Sequence, residues 1–137
     1  MAVIGVDVGG TKIAAGLVGP DLRVGRRRRV PTPREGEALL DAVAGVVRDL
    51  AAQAGGPVRA VGVGLPSLVE ASTGRVLMIN HADLAGVDAA DELARRTGLP
   101  VAVDNDGNLA ALAEHRAGAA RGARVAVLLT LGTGIAG

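Results

Sequence analysis

The 137 residues contain 15 Lys or Arg and 14 Asp or Glu, and the net charge of +1 excludes strong electrostatic attraction to nucleic acid or membranes. Phe, Tyr, Trp and Cys are absent, which excludes aromatic stacking on single strands, disulfides and thiolate metal sites. Because 49% of the residues are apolar and no apolar run is long enough to span a bilayer, we expect a cytoplasmic protein with an aliphatic core, no nucleic-acid partner and no membrane partner.

The first thirty residues predict three strands. Residues 2–8 and 12–18 alternate in polarity on either side of a glycine pair, a pattern typical of a hairpin. Residues 22–30 predict a third strand, which contains four consecutive arginines at 26–29. A strand places alternate side chains on opposite faces, so we interpret the arginines as a solvated edge strand rather than a nucleic-acid site.

A helix is predicted to start at Thr32. Thr32 fits the N-cap, Pro33 fits the first helical position, and Glu35 fits the reciprocal position of a capping box. Apolar residues then recur at helical spacing, which indicates one buried face: Leu39, Leu40, Val43, Val46, Val47 and Leu50. The Gly-Gly-Pro sequence at 55–57 is predicted to end the helix.

The second half of the sequence alternates between strand and helix patterns. The predicted elements are a buried strand at 58–65, a short strand near 75–79, a helix at 88–97, a buried strand at 101–103, a helix from about 105 to 119, and a strand at 125–131. This order predicts an α/β fold with a mixed sheet flanked by helices. The last strand does not fit that sheet, so we expect residues 1–121 to form one lobe and 122–137 to begin a second, truncated lobe.

The first candidate site follows the first predicted strand. Gly9 and Gly10 leave backbone N–H groups unobstructed for a phosphate, and the Thr11 hydroxyl and the Lys12 ammonium group add a donor and a positive charge. Asp7 lies beside them, where it would hold Mg²⁺ through water. The alternative is an ordinary hairpin whose turn requires positive φ. The combination of Asp, Thr and Lys favours the phosphate site.

The second candidate site is the polar run at 104–108, where a buried strand meets a helix. Ligands of α/β sheets bind at such junctions, and a carboxylate there can accept the proton of an attacking hydroxyl. The alternative is that one Asp or Asn simply caps the helix. Four polar side chains in five positions exceed what a cap requires.

A third region offers weaker indications of a polyol site. Backbone amides near Gly64 and Pro66, together with the Ser67 hydroxyl, follow the strand at 58–65, although without other observations a simple strand–turn boundary is the favoured explanation. Asn80 lies in a loop that we expect to border the same pocket. The two histidines, His81 and His115, are too few to indicate a metal site.

Taken in order, four stretches resemble the ROK family of sugar kinases and related repressors: residues 7–16, 61–66, 99–114 and 129–135. The resemblance implies a ribonuclease H-like, actin-like ATPase fold in two lobes. ATP, Mg²⁺ and a sugar would bind in the cleft between the lobes. The chain would then be the N-terminal lobe of a two-lobed kinase, and a homodimer is compatible with it.

The resemblance also implies roles for individual residues. Asp106 would be the general base and Asn105 would bind sugar hydroxyls. The phosphates would be held from one lobe by Gly9, Gly10, Thr11 and Lys12, and from the other by Gly132, Thr133 and Gly134. Any structural zinc would belong to a C-terminal part beyond this chain.

The implied reaction is ATP-dependent phosphorylation of a hexose or N-acylhexosamine, with the fragment alone inactive. The alternatives are a ROK-type sugar-sensing transcriptional regulator or non-catalytic sugar-binding protein, and an actin-like ATPase. The phosphate hairpin starts at residue 3, which leaves no room for a preceding helix-turn-helix and favours the enzyme. Two residues depart from the family pattern, since Ser67 and Ala136 stand where glycine is usual.

Overall fold

The computed structural model describes residues 1–70, 72–79, 83–131 and 135–136. Its elements, in chain order, are β1 (Ala2–Val8), β2 (Lys12–Val18), β3 (Val24–Pro31), α1 (Gly36–Ala52), β4 (Val58–Leu65), β5 (Ser67–Glu70), β6 (Arg75–Ile79), α2 (Ala89–Thr97), β7 (Val101–Asn105), α3 (Asp106–Ala117), β8 (Thr130–Leu131) and β9 (Ile135–Ala136). No helix in these ranges is long and apolar enough to cross a bilayer.

Five strands form a mixed sheet in the order β3-β2-β1-β4-β7. β1, β2 and β3 pair antiparallel, whereas β1, β4 and β7 run parallel. The carboxyl ends of the three parallel strands therefore meet at one edge of the sheet. Asp7 pairs with Gly64, and Gly64 pairs with Asp104, so these residues form one row at that edge.

The aliphatic core lies on one face of the sheet. Alternate residues of the central strands are buried there, including Ile4, Val6 and Val8 of β1. All six apolar positions predicted for the first helix are buried in α1, and α1 also packs against α2. The 3.6-residue spacing in the sequence therefore identified the buried face of this helix correctly.

The opposite face of the sheet is built from small residues. It forms an open groove of about 450 Å³, with floor residues that include Gly5, Ala14, Gly16 and Gly62 and with Leu109 at one end. α3 approaches this face where a Cβ on Gly64 would lie 3.4 Å from Leu109 Cδ1. This approach places the first turn of α3 at the carboxyl ends of the parallel strands.

The predicted start of the first helix is wrong. α1 begins at Gly36 with Glu35 as its N-cap, and the Glu35 side chain makes no capping hydrogen bond. Thr32 cannot act as the cap because its hydroxyl and its N–H both bind the turn between β1 and β2. A tertiary contact thus replaces the local capping box that the sequence indicated.

The two strand predictions that differ most from the structure lie at 22–30 and 125–131. β3 begins at Val24 rather than Leu22, because Leu22 adopts a positive φ of 62° in the preceding turn. In the last segment only Thr130 and Leu131 are paired, antiparallel to Ile135 and Ala136. A β-rich sequence needs a neighbouring strand, and within the described residues 125–129 have none.

The remaining element predictions are confirmed. β4 and β6 have the predicted bounds, and α2 begins one residue after Asp88, whose side chain accepts from the N–H of Asp91 at 3.1 Å. The arginines at 26–29 lie on β3, an exposed edge strand, as interpreted from their alternation. β5 was not predicted. It pairs with β6 in a separate two-stranded sheet.

Candidate active site

The turn between β1 and β2 presents free N–H groups. Several of its carbonyl groups accept protein donors: the Gly9 N–H donates to the Lys12 oxygen at 2.9 Å, and the Thr32 N–H donates to the Thr11 oxygen at 3.1 Å. The Thr32 hydroxyl donates to the Gly9 oxygen at 2.7 Å. In the described part of the chain, no acceptor receives the N–H groups of Gly10 and Thr11. The turn therefore has the polarity of an anion site.

The glycine pair is not explained by backbone conformation. Neither Gly9 nor Gly10 has a positive φ, so the turn does not need glycine for a left-handed conformation, contrary to the alternative weighed from the sequence. A Cβ on Gly9 would lie only 3.1 Å from the Lys12 oxygen. The Gly9 position therefore fits a turn folded tightly around a ligand or around its own backbone.

The polar run at 104–108 forms the junction of β7 and α3. Asn105 is the N-cap of α3: its Oδ1 accepts from the Asn108 N–H at 3.1 Å, and its Nδ2 donates to the Ser67 oxygen at 3.0 Å. Asp104 Oδ1 accepts from the Asn105 N–H at 2.7 Å and from Asn108 Nδ2 at 3.0 Å. The cap alternative is thus correct for Asn105, and Asp106 is not needed as the cap.

Asp106 is the first residue of α3 and is exposed. One of its oxygens, Oδ1, accepts from the Gly107 N–H at 2.8 Å. The structure therefore brings an accessible carboxylate to the edge of the sheet where β1, β4 and β7 end.

Asp7 and Asp106 are close enough to influence each other. The pKa of Asp7 is raised above its usual value of 3.8, first because the protein partly desolvates the carboxyl group and second because the charge of Asp106 opposes ionisation. The Lys12 ammonium group acts in the opposite direction. Asp7 is nevertheless exposed, so these three charges interact at the surface of the molecule and not in a sealed interior.

The third candidate region, at residues 64–67, packs against the β7–α3 junction. Gly64 is buried in β4, where an added Cβ would lie 3.5 Å from the Asp106 Cα. Pro66 connects β4 to β5. Ser67 is only 7% exposed, and its hydroxyl has no hydrogen-bond partner within the ranges described. Four predicted site residues lie outside those ranges: Asn80, Gly132, Thr133 and Gly134.

A cavity of about 620 Å³ opens beside the start of α3. Its walls come from three segments of the chain: Leu68 and Val69 of β5, Asn105 to Asn108 at the β7–α3 junction, and residues 126–128 with Thr130. A volume of this size is typical of small-molecule sites. The contribution of residues 126–130 was not predicted, because the sequence indicated a strand there and not a cavity wall.

Thr32 is a further site residue that was not predicted. Its sequence context indicated a helix cap, although the strand lengths contained a signal. β2 and β3 pair with Lys12 opposite Pro31, so the residue after Pro31 must lie beside the β1–β2 turn. A hairpin register worked out from the predicted strands would have placed Thr32 there.

The carboxylates at this edge of the sheet fit a magnesium ion that accompanies a phosphate. The described residues include no group of three or more side chains able to hold a metal alone. Mg²⁺ commonly binds through one or two carboxylates, with water and substrate phosphates completing its coordination. Asp7 and Asp106 supply such oxygens, and their mutual repulsion would be relieved by a cation.

A family model described as ROK family matches residues 3–137. The chain belongs to the ROK family. It is 40% identical over 134 residues to a glucokinase of Streptomyces coelicolor, covering 98% of this chain and 42% of that protein. It is 37% identical over 134 residues to an N-acetyl-D-glucosamine kinase of Citrobacter koseri, covering 97% of this chain and 44% of that protein.

The fold of this ROK-family chain is that of solved relatives. A crystal structure of a ROK family glucokinase from Streptomyces griseus, in complex with glucose and AMPPNP, superposes with a TM-score of 0.90 at 39% identity. That match covers 98% of this chain and 43% of the glucokinase. The predicted ribonuclease H-like mixed sheet flanked by helices is confirmed. The chain spans about two fifths of the length of the curated relatives it matches.

Proposed function

We propose that this chain is the N-terminal lobe of a kinase that transfers the terminal phosphoryl group of ATP to a hydroxyl of a hexose or an N-acylhexosamine, with glucose as the first sugar to test. The observation that carries the proposal is the edge of the sheet at which the Asp106 charge raises the pKa of Asp7, which directly precedes the turn with the unpaired N–H groups of Gly10 and Thr11 among the described residues. Relatives named glucokinase and N-acetyl-D-glucosamine kinase support the same chemistry.

In this mechanism the chain positions charges rather than forming covalent bonds to the substrate. The turn N–H groups, the Thr11 hydroxyl and the Lys12 ammonium group hold phosphate oxygens. Mg²⁺, when bound near Asp7, would neutralise charge on those phosphates. Asp106 accepts the proton of the attacking sugar hydroxyl, because it is an accessible carboxylate at the mouth of the cavity.

The sugar is proposed to bind in the cavity of about 620 Å³ beside α3. Asn105 has hydrogen-bonding capacity left for it: each amide atom makes one internal bond, to Asn108 and Ser67, and each can make one more. Ser67 provides a buried hydroxyl below the same junction. Asn80 remains a proposed member of this pocket.

The second lobe completes the proposal. Residues 122–137 are proposed to begin it, with Gly132, Thr133 and Gly134 holding phosphates from the opposite side of the cleft. Because the chain covers 42% of its S. coelicolor relative, phosphoryl transfer is proposed for a polypeptide that carries this chain together with the remainder of the fold. The 137-residue chain alone is expected to be inactive.

Replacement of the general base tests the proposal. In the longer polypeptide, Asp106→Asn is expected to lower kcat for ATP-dependent glucose phosphorylation by about 10²- to 10⁴-fold, because the hydroxyl loses its proton acceptor. A coupled assay of ADP release measures this over several sugars. Asp88→Asn is the control for the same change at the start of another helix, since Asp88 caps α2 and asparagine caps a helix equally well. It should retain activity, and equal turnover by Asp106→Asn would refute the assignment of the base.

A further inference from the structure

Thr32 contacts the phosphate turn through two separate donors. Its hydroxyl donates to the Gly9 oxygen at 2.7 Å, across 23 residues of sequence. Its backbone N–H donates to the Thr11 oxygen at 3.1 Å. Thr32 is half-buried and lies directly after β3, which pairs with β2 as far as Pro31 and Lys12. The end of β3 therefore delivers Thr32 to the turn.

The hydroxyl contact determines the direction of a neighbouring N–H group. The Gly9 oxygen and the Gly10 N–H belong to the same peptide unit, which is planar and trans, so the two groups point in opposite directions. When Thr32 holds the oxygen on the protein side, the Gly10 N–H must point away from Thr32. The Gly10 N–H has no acceptor among the residues described.

A glycine pair makes this restraint necessary. Without Cβ atoms on either side, the Gly9–Gly10 peptide can rotate at low cost, and a rotated peptide would direct its oxygen toward the ligand. An oxygen in that position would repel a phosphate, whereas the N–H attracts it. The glycines leave the turn accessible to a ligand but do not fix the direction of its N–H groups. That direction therefore depends on a contact from a residue outside the turn.

We propose that Thr32 is a positioning residue, whose hydroxyl fixes the Gly9–Gly10 peptide so that the Gly10 N–H faces the phosphates of the nucleotide. The expected effect of Thr32 on kinetics rests on the proposed function, whereas its expected effect on the conformation of the turn does not. Thr32 contacts neither the nucleotide nor the sugar in this proposal. It acts only through the peptide unit that it binds.

The kinetic test compares Thr32→Val with Thr32→Ser in the longer polypeptide. Valine preserves the shape of the side chain and the backbone N–H contact but removes the hydroxyl, and serine retains the hydroxyl. Loss of one hydrogen bond is expected to raise KM for ATP by about two- to tenfold for Thr32→Val. KM for the sugar should stay unchanged, and Thr32→Ser should remain within about twofold of the unsubstituted enzyme.

The conformational test uses the 137-residue chain and does not depend on phosphoryl transfer. Backbone ¹⁵N relaxation should show a lower order parameter at Gly9 and Gly10 in Thr32→Val, with Val58–Leu65 of β4 unaffected. Thr32→Ser should match the original chain. If Thr32→Val does not fold, Thr32→Ala, which also lacks the hydroxyl, replaces it in both tests.

Three results would overturn the inference. One is an unchanged order parameter at Gly10 without the hydroxyl. Another is an equal loss of order throughout the sheet, which would indicate general structural support. The third is an equal rise of KM for ATP and sugar. If the unsubstituted longer polypeptide phosphorylates no sugar, the proposed function fails, and the relaxation data alone decide the role of Thr32.

Discussion

Asp7 illustrates how a single residue at the site opposes folding. Partial desolvation and the nearby charge of Asp106 both raise its pKa above 3.8. The folded state therefore binds more protons at Asp7 than the unfolded state does, in the range from 3.8 up to the raised pKa. The contribution of Asp7 to stability consequently falls as the pH rises through that range.

Asp7→Asn is therefore expected to make the chain more stable at pH 7, with an advantage that diminishes as the pH falls toward 3.8. Urea unfolding at several pH values, followed by circular dichroism, measures the difference between the two chains. The chain contains no Trp or Tyr, so intrinsic fluorescence cannot replace circular dichroism. In an Asp106→Asn background the gain should be smaller but not zero, because desolvation remains. A lower stability of Asp7→Asn at pH 7 would contradict this account.

Leu22 is a second residue that lowers the stability of the folded chain, in this case through its backbone conformation. It adopts a φ of 62° in the turn between β2 and β3 and is 61% exposed. The turn is closed by the Leu22 N–H, which donates to the Gly19 oxygen at 3.0 Å. A leucine side chain gains little from this exposed position, whereas its Cβ disfavours the left-handed region.

Leu22→Gly should therefore stabilise the chain by about 0.5–1 kcal/mol, since relief of strain exceeds the added flexibility of the unfolded state. Leu22→Ala is the matched control: it removes the exposed side chain but retains the Cβ, and should change stability by less than about 0.5 kcal/mol. The midpoints of urea unfolding compare the variants. Equal effects of alanine and glycine would show that backbone strain is not the cause.

Among the elements, α1 and α2 are joined by polar contacts that centre on Arg96. The Arg96 guanidinium contacts Asp41 and, at 2.5 Å, Glu37, both on α1, while its backbone oxygen accepts from Arg48 at 3.0 Å. The side chain is 21% exposed, and its pKa is raised, first by the hydrogen bond with Glu37. A planar fork is well suited to hold two carboxylates at once.

Arg96→Lys should lower the free energy of unfolding by about 0.5–1 kcal/mol, because an ammonium group cannot reach both carboxylates in the same geometry. Arg95→Lys provides the control, since among the described residues the Arg95 side chain pairs only with Glu92 of its own helix and is 68% exposed. Its effect should be close to zero. The Arg96 effect should shrink in 1 M salt, where the Debye length is about 3 Å. An effect independent of salt would indicate packing instead.

At the same scale, local sequence patterns predicted most of the elements. They failed where contacts with residues distant in sequence determine the bounds of an element. The periodicity of α1 identified its buried positions because burial on one face is a property of the helix itself. Its start was misplaced because Thr32 binds the β1–β2 turn rather than the first helical turn. Residues 125–129 have strand composition but, among the described residues, no neighbour to pair with.

For the whole molecule, the sequence predicted the mixed sheet and indicated the polar runs at 7–12 and 104–108 as candidate site segments. The structure brings both runs to one edge of the sheet, because each follows a parallel strand and the carboxyl ends of these strands lie together. It could not distinguish which polar residue of the second run caps the helix. That assignment depends on Ser67, which is 38 residues away in sequence and holds the Asn105 side chain.

The double attachment of Asn105 limits how this molecule can move. One amide atom holds the first turn of α3 and the other holds the backbone after β4. The support of the cavity and the base that would act in it are therefore mechanically coupled. The first turn of α3, which carries Asp106, and the backbone at Ser67 should therefore move together when a ligand enters or leaves the cavity.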